Sequence, residues 1–203
     1  MSIENKKAIA EQARILMELG IEIPNDTIQH TIELEKNLDE DILENLSLTA
    51  ILLRDAGMGE YDATHDVYYP EYEDNNVYCF EMHLEPGVML YTRLFKGIAA
   101  ISNNEILVSD IIEDYGENYE AGIEPIKISF FYKETEYFFE TVEYSWFDPK
   151  IFNLLNDILD KEGYDKRLYI TSSSETLFVF YCTEDWSRKF IGTTGMELYT
   201  KIN

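Results

Sequence analysis

The sequence predicts an α+β protein: N-terminal helices followed by a mainly antiparallel sheet with one or two packed helices. Three observations carry this reading. Apolar residues recur at helical spacing through the first third of the chain, a period of two takes over from Val77, and a long stripe of helical period returns at Ile151. Residues 1–57 are expected to form a helical N-terminal section and residues 58–203 an α+β section, the two folding together as one compact domain.

The elements follow in order. Ser2 is placed to cap a helix carrying Ile9, Ala13 and Leu16 at spacings of four and three, with Gly20 positioned to stop it. Pro24-Asn25-Asp26-Thr27 restarts the chain, and Ile28 and Ile32 lie one helical turn apart. From about Asp39, the residues Leu43, Leu46, Ala50 and Leu53 predict a third helix, ended by Gly57-Met58-Gly59. Such stripes must be buried, on one another or on the rest of the protein.

Alternation then replaces helical spacing. Tyr78, Phe80, Met82 and Leu84 point one way, with Cys79, Glu81 and His83 opposite, which predicts a half-buried strand closed by Pro86-Gly87. Residues 88–101 are dense in apolar groups, which also suits a strand; with Met89, Arg93 and Lys96 outside and Leu90, Leu94 and Ile98 inside, helix is the preferred reading. Residues 105–113 are read as a strand. The clearest β signal is the hairpin of Ile126–Lys133 and Glu136–Tyr144, turning at Lys133-Glu134-Thr135. Asp148-Pro149 opens a helix whose stripe is Ile151, Leu154, Leu155, Ile158 and Leu159, and Gly163 ends it. A second hairpin joins Leu168–Thr171 to Leu177–Cys182 across Ser172-Ser173-Ser174, and Thr183 caps a last helix running through Ile191.

Charge narrows the function classes. The 203 residues carry 40 acids against 16 bases, a formal net charge of −24. Residues 37–126 hold 20 of the acids and 3 bases (Arg54, Arg93 and Lys96), and no Lys or Arg occurs from Asp55 to Thr92. A field of this sign repels nucleic-acid phosphate, speeds encounter with basic partners, and favours a monomer or weak oligomer. Nucleic acid is therefore not an expected partner; a basic protein surface is. Acidity serving solubility alone is the competing reading.

The first twenty residues carry charges throughout and lack the apolar run of a secretory signal, and no stretch approaches the roughly 20 apolar residues of a bilayer span. A cytoplasmic protein without a membrane segment is expected. Cys79 and Cys182 sit in alternating apolar runs, as small buried thiols do.

Motifs for nucleotide, zinc, calcium or serine-hydrolase chemistry are absent from the sequence, and no cofactor is expected. The unusual stretch is residues 60–76, where six acids and four tyrosines occupy 17 positions without a base. It reads as a long loop, and long loops in compact domains often carry function. Its tyrosines lie among acids, outside any apolar alternation, and Tyr is enriched in binding hot spots. The candidate binding residues are Tyr61, Asp62, Asp66, Tyr68, Tyr69, Glu71, Tyr72, Glu73 and Asp74.

The leading expectation is an acidic protein-binding module that masks a basic partner, as an immunity or antitoxin-like inhibitor does. The alternative, from a different class, is a metal-dependent hydrolase of unknown substrate. Its candidate ligands would be Asp62, His65 and His83, a carboxylate and imidazole set suited to a divalent ion.

Overall fold

The computed structural model describes residues 3–37, 47–58, 60–62, 67–69, 76–83, 89–118 and 124–202. The fold is α+β. Helices α1 (Ile3–Glu18), α2 (Asn25–Asn37) and α3 (Leu48–Gly57) come first, then the short strands β1 (Glu60–Asp62) and β2 (Val67–Tyr69). There follow β3 (Val77–Glu81), α4 (Leu90–Ile101), β4 (Val108–Tyr115), β5 (Ile126–Tyr132) and β6 (Thr135–Thr141). The chain continues through α5 (Ile151–Lys161), β7 (Lys166–Ser173), β8 (Thr176–Thr183) and α6 (Glu184–Thr194).

Where one antiparallel sheet was expected, the strands form two of three strands each, ordered β3-β8-β7 and β4-β5-β6, and β1 pairs with β2 in a separate ribbon. The first of these is the central layer. Strand β8 is buried at every position from Thr176 to Cys182, so both of its faces are covered. One face, through Val77, Cys79, Phe178, Phe180 and Cys182, packs on Ile9, Ala13 and Leu16 of α1, Leu52 and Leu53 of α3, and Phe190 of α6. The other face, through Tyr78, Phe80, Val179, Tyr181 and Ile170, meets the apolar stripes of α4 and α5 and the inner face of the β4-β5-β6 sheet.

Strand β3 therefore departs from the half-buried expectation: Val77 through Phe80 are all buried, because helices cover the Cys79 face as well. Cys79 and Cys182 are both free and buried. The third helix is described from Leu48, with the Ser47 hydroxyl accepting from the Ala50 amide at 3.4 Å; residues 38–46, where an earlier start was expected, lie outside the described residues. In the second hairpin Ser172 and Ser173 are still paired, with Leu177 and Thr176, so the expected three-residue turn becomes a two-residue one at Ser174-Glu175. Ser174 takes the left-handed conformation that a tight two-residue turn demands (φ 55°).

Beyond α6 the chain returns along the open edge of β7. Ile170 and Tyr199 exchange backbone hydrogen bonds of 2.8 and 2.9 Å. Two asparagines of α5 hold this strap: Asn153 binds both the amide and the carbonyl of Ile202, and Asn156 donates to the Thr200 carbonyl.

Candidate functional site

The acidic segment leaves the central layer where α3 ends. Helix α3 presents Arg54 and Asp55 toward α2, and between the two helices lies an open cleft of about 430 Å³. Its lining is Asp26, Thr27 and His30 of α2, Arg54 and Asp55 of α3, Met58, and Glu81 at the end of β3. His30 Nδ1 hydrogen-bonds Asp55 Oδ2 at 2.9 Å, with the imidazole exposed and the carboxylate largely covered. Arg54 Nε is buried and lies 3.7 Å from Asp55 Oδ1, too far for a hydrogen bond, and it makes none among the described residues. Among the described residues, the lining thus holds three carboxylates and one guanidinium. That lining is net negative, and its chemistry suits a cationic group from a partner.

The chain then runs from Met58 into the β1–β2 ribbon, where a long loop was expected. The register pairs Glu60 with Tyr69, Tyr61 with Tyr68 and Asp62 with Val67. Four of the predicted binding residues, Tyr61, Asp62, Tyr68 and Tyr69, are therefore drawn into one two-stranded element by backbone pairing. Asp66, Glu71, Tyr72, Glu73 and Asp74 lie outside the described residues, as does His65.

Of the expected metal ligands, His83 has a definite setting. It forms an isolated bridge with Trp146, and its imidazole stands edge-on to the indole at 5.8 Å between centroids. Among the described residues, no group of three or more His, Cys, Asp or Glu side chains is placed to hold a metal ion.

Two further clusters resemble sites by residue type, but their groups are committed to structure. Glu113, buried on the inner face of the second sheet, accepts from the Thr92 amide at the start of α4 and from the Tyr115 hydroxyl at 2.7 Å. Asp148, also buried, accepts from the Thr141 hydroxyl at 2.8 Å and the Lys150 amide at 2.9 Å. Glu113 thereby satisfies a first-turn amide of α4, and Asp148 holds the turn that leads into α5. The thiols are unsuited to nucleophilic chemistry, since burial pushes Cys182 up to about 12 and Cys79 higher still.

Sequence reasoning pointed to the ribbon through its composition. It missed the cleft, because nothing in the spacing of His30 and Asp55 shows that two separate helices bring them together. The one available signal was Arg54, the single base between Lys36 and Arg93.

No family model, curated protein or solved structure matches this chain. Among the described residues, no helix is long and apolar enough to cross a membrane.

Proposed function

We propose that this chain is an acidic protein-binding module that docks on a basic partner and masks it, in the manner of an immunity or antitoxin-like inhibitor. The observation that carries the reading is the stretch from Asp55 to Thr92, which contains no Lys or Arg and contributes Asp55 and Glu81 to the cleft and all of the ribbon. An inhibitor of a protein whose own ligand is anionic needs this balance, since its carboxylates occupy the positive surface in the ligand's place. Tyrosines interleaved with the acids add contact area at low entropic cost.

The test is affinity capture on the immobilised chain from a lysate of its source organism, eluted with a salt gradient and identified by mass spectrometry. One dominant basic protein released at moderate salt is the expected result. Scattered basic proteins released at low salt would mean that the charge serves solubility alone.

A further inference from the structure

The outer face of the second sheet exposes a small apolar patch that the rest of the described chain leaves uncovered. Its outward positions follow from the register: Ile112 of β4, Ser129 of β5 and Phe138 of β6 lie in one row across the three strands, with Phe131 next along β5. Ile112 is 61% exposed and Phe138 66%. The small Ser129 stands between these two large apolar neighbours. Carboxylates flank the row: on one side Lys127 stands between its cross-strand neighbours Asp114 and Glu140, and on the other Glu136 lies opposite Phe131.

The two edges of this sheet differ. Strand β4 carries a bulge between Ser109 and Ile112, with Asp110 in the left-handed region (φ 51°), which interrupts its pairing edge. Strand β6 runs in unbroken register with β5 over all seven residues and contains no Pro, Lys or Arg. Among the described residues, its outer edge pairs with no strand. Natural edges are blunted by charged side chains (lysine above all), proline or a bulge; β6 has no lysine, proline or bulge, and its charges are the carboxylates Glu136 and Glu140.

We propose that β6 receives an extended segment of a basic partner protein as a fourth strand, with an apolar side chain against Phe138 and Lys or Arg against Glu136 and Glu140. Main-chain hydrogen bonds along the free edge would supply affinity, and the alternating outward side chains would supply specificity. The charge pattern selects this occupant over a second copy of the chain. In an antiparallel self-pair centred on Phe138, Glu136 would face its partner's Glu140, placing like charges directly opposite one another. The inference rests on the basic-partner reading and adds a surface and a binding mode to it.

The test uses the full chain, labelled with nitrogen-15, and the peptide acetyl-Thr-Lys-Thr-Leu-Thr-Lys-Thr-amide. The control peptide carries proline at the central Leu, which removes an amide needed for pairing. The expected result is displacement of the amide signals of Thr135–Thr141 by the first peptide and not by the second. Binding should weaken about ten-fold or more in Phe138→Ser and in Glu136→Lys/Glu140→Lys. All three positions are exposed, so a far-UV spectrum like the parent's is expected of each variant. Equal binding of both peptides, or full binding by the β6 variants, would overturn the proposal. If binding instead maps to the α2–α3 cleft and is lost in Asp55→Asn/Glu81→Gln, the edge proposal falls and the basic-partner reading stands. If the first peptide shifts no signal even at low salt, the edge proposal falls by itself, and the capture experiment decides the wider reading.

Discussion

Asn156 shows how much of this structure hangs on single polar groups. It is buried on α5, where its carbonyl oxygen accepts from the Leu168 amide at 2.8 Å and its amide nitrogen donates to the carbonyls of Leu168 and Thr200. One side chain therefore satisfies the edge of β7 and anchors the C-terminal strap. Asn156→Ala leaves three backbone groups without partners and should cost about 2–4 kcal/mol in urea unfolding. Asn156→Asp should recover little of this, because a carboxylate can accept from Leu168 but cannot donate to the two carbonyls. Glu113 plays a similar part for α4, whose N-cap position is Met89 and offers no side-chain acceptor. Glu113→Ala should lower stability by about 1–2 kcal/mol, read as a shift in the urea midpoint at unchanged slope. Neither role was legible in the sequence. A lone Asn in a helical stripe or a lone Glu in a strand looks like any solvated polar residue until the fold brings a backbone to it.

At the scale of elements the sequence was far more readable. The β5–β6 hairpin, the stripe of α5 and the Thr183 cap of α6, where the hydroxyl accepts from the Trp186 amide at 3.3 Å, all lie where periodicity and capping chemistry place them. These signals are local, and local physics produces them. The misreadings are tertiary. Strand β3 looked half-buried because small Cys79 and charged Glu81 share a face, yet helices cover that face at Cys79. The ribbon at Glu60–Tyr69 is hidden by residues that composition assigns to a loop, since backbone pairing needs no apolar pattern. The packing of α4 on β3 also had no sequence signal. A Cβ at Gly97 would fall inside contact distance of the buried Tyr78 ring, so the helix approaches the sheet this closely only because it has glycine there. In an exposed helix Gly→Ala would stabilise by about 1 kcal/mol. Here Gly97→Ala should instead destabilise by about 1–3 kcal/mol, and a raised melting temperature in that variant would refute the close packing.

Over the whole molecule, like charges repel throughout. A net charge of −24 spread over 203 residues opposes the compact state, and salt screens exposed charges within about 10 Å at 0.1 M. The melting temperature should therefore rise as sodium chloride is raised from about 0.02 to about 0.5 M. High pH works in the other direction. Burial raises the Cys182 thiol from its ordinary 9.0 to about 12 and raises Cys79 further. It also lifts the hydroxyls of Tyr78 and Tyr91, and those of Tyr115 and Tyr181, which additionally donate to Glu113 and Glu105. In every case the folded chain holds its proton more tightly than the unfolded chain does. Below pH 9 both states are protonated at these groups, and their contribution is fully present. As pH rises from about 9 through 12, the unfolded thiols and phenols ionise while the folded ones do not, so unfolding gains and stability falls. The urea midpoint should thus be level from about pH 7 to 8.5 and drop steeply above it. Cys79 and Cys182 should stay unreactive toward a thiol reagent until the chain unfolds. A midpoint that held steady to pH 11 would mean that these side chains are solvated in the native protein, contrary to the two packed faces of the central sheet.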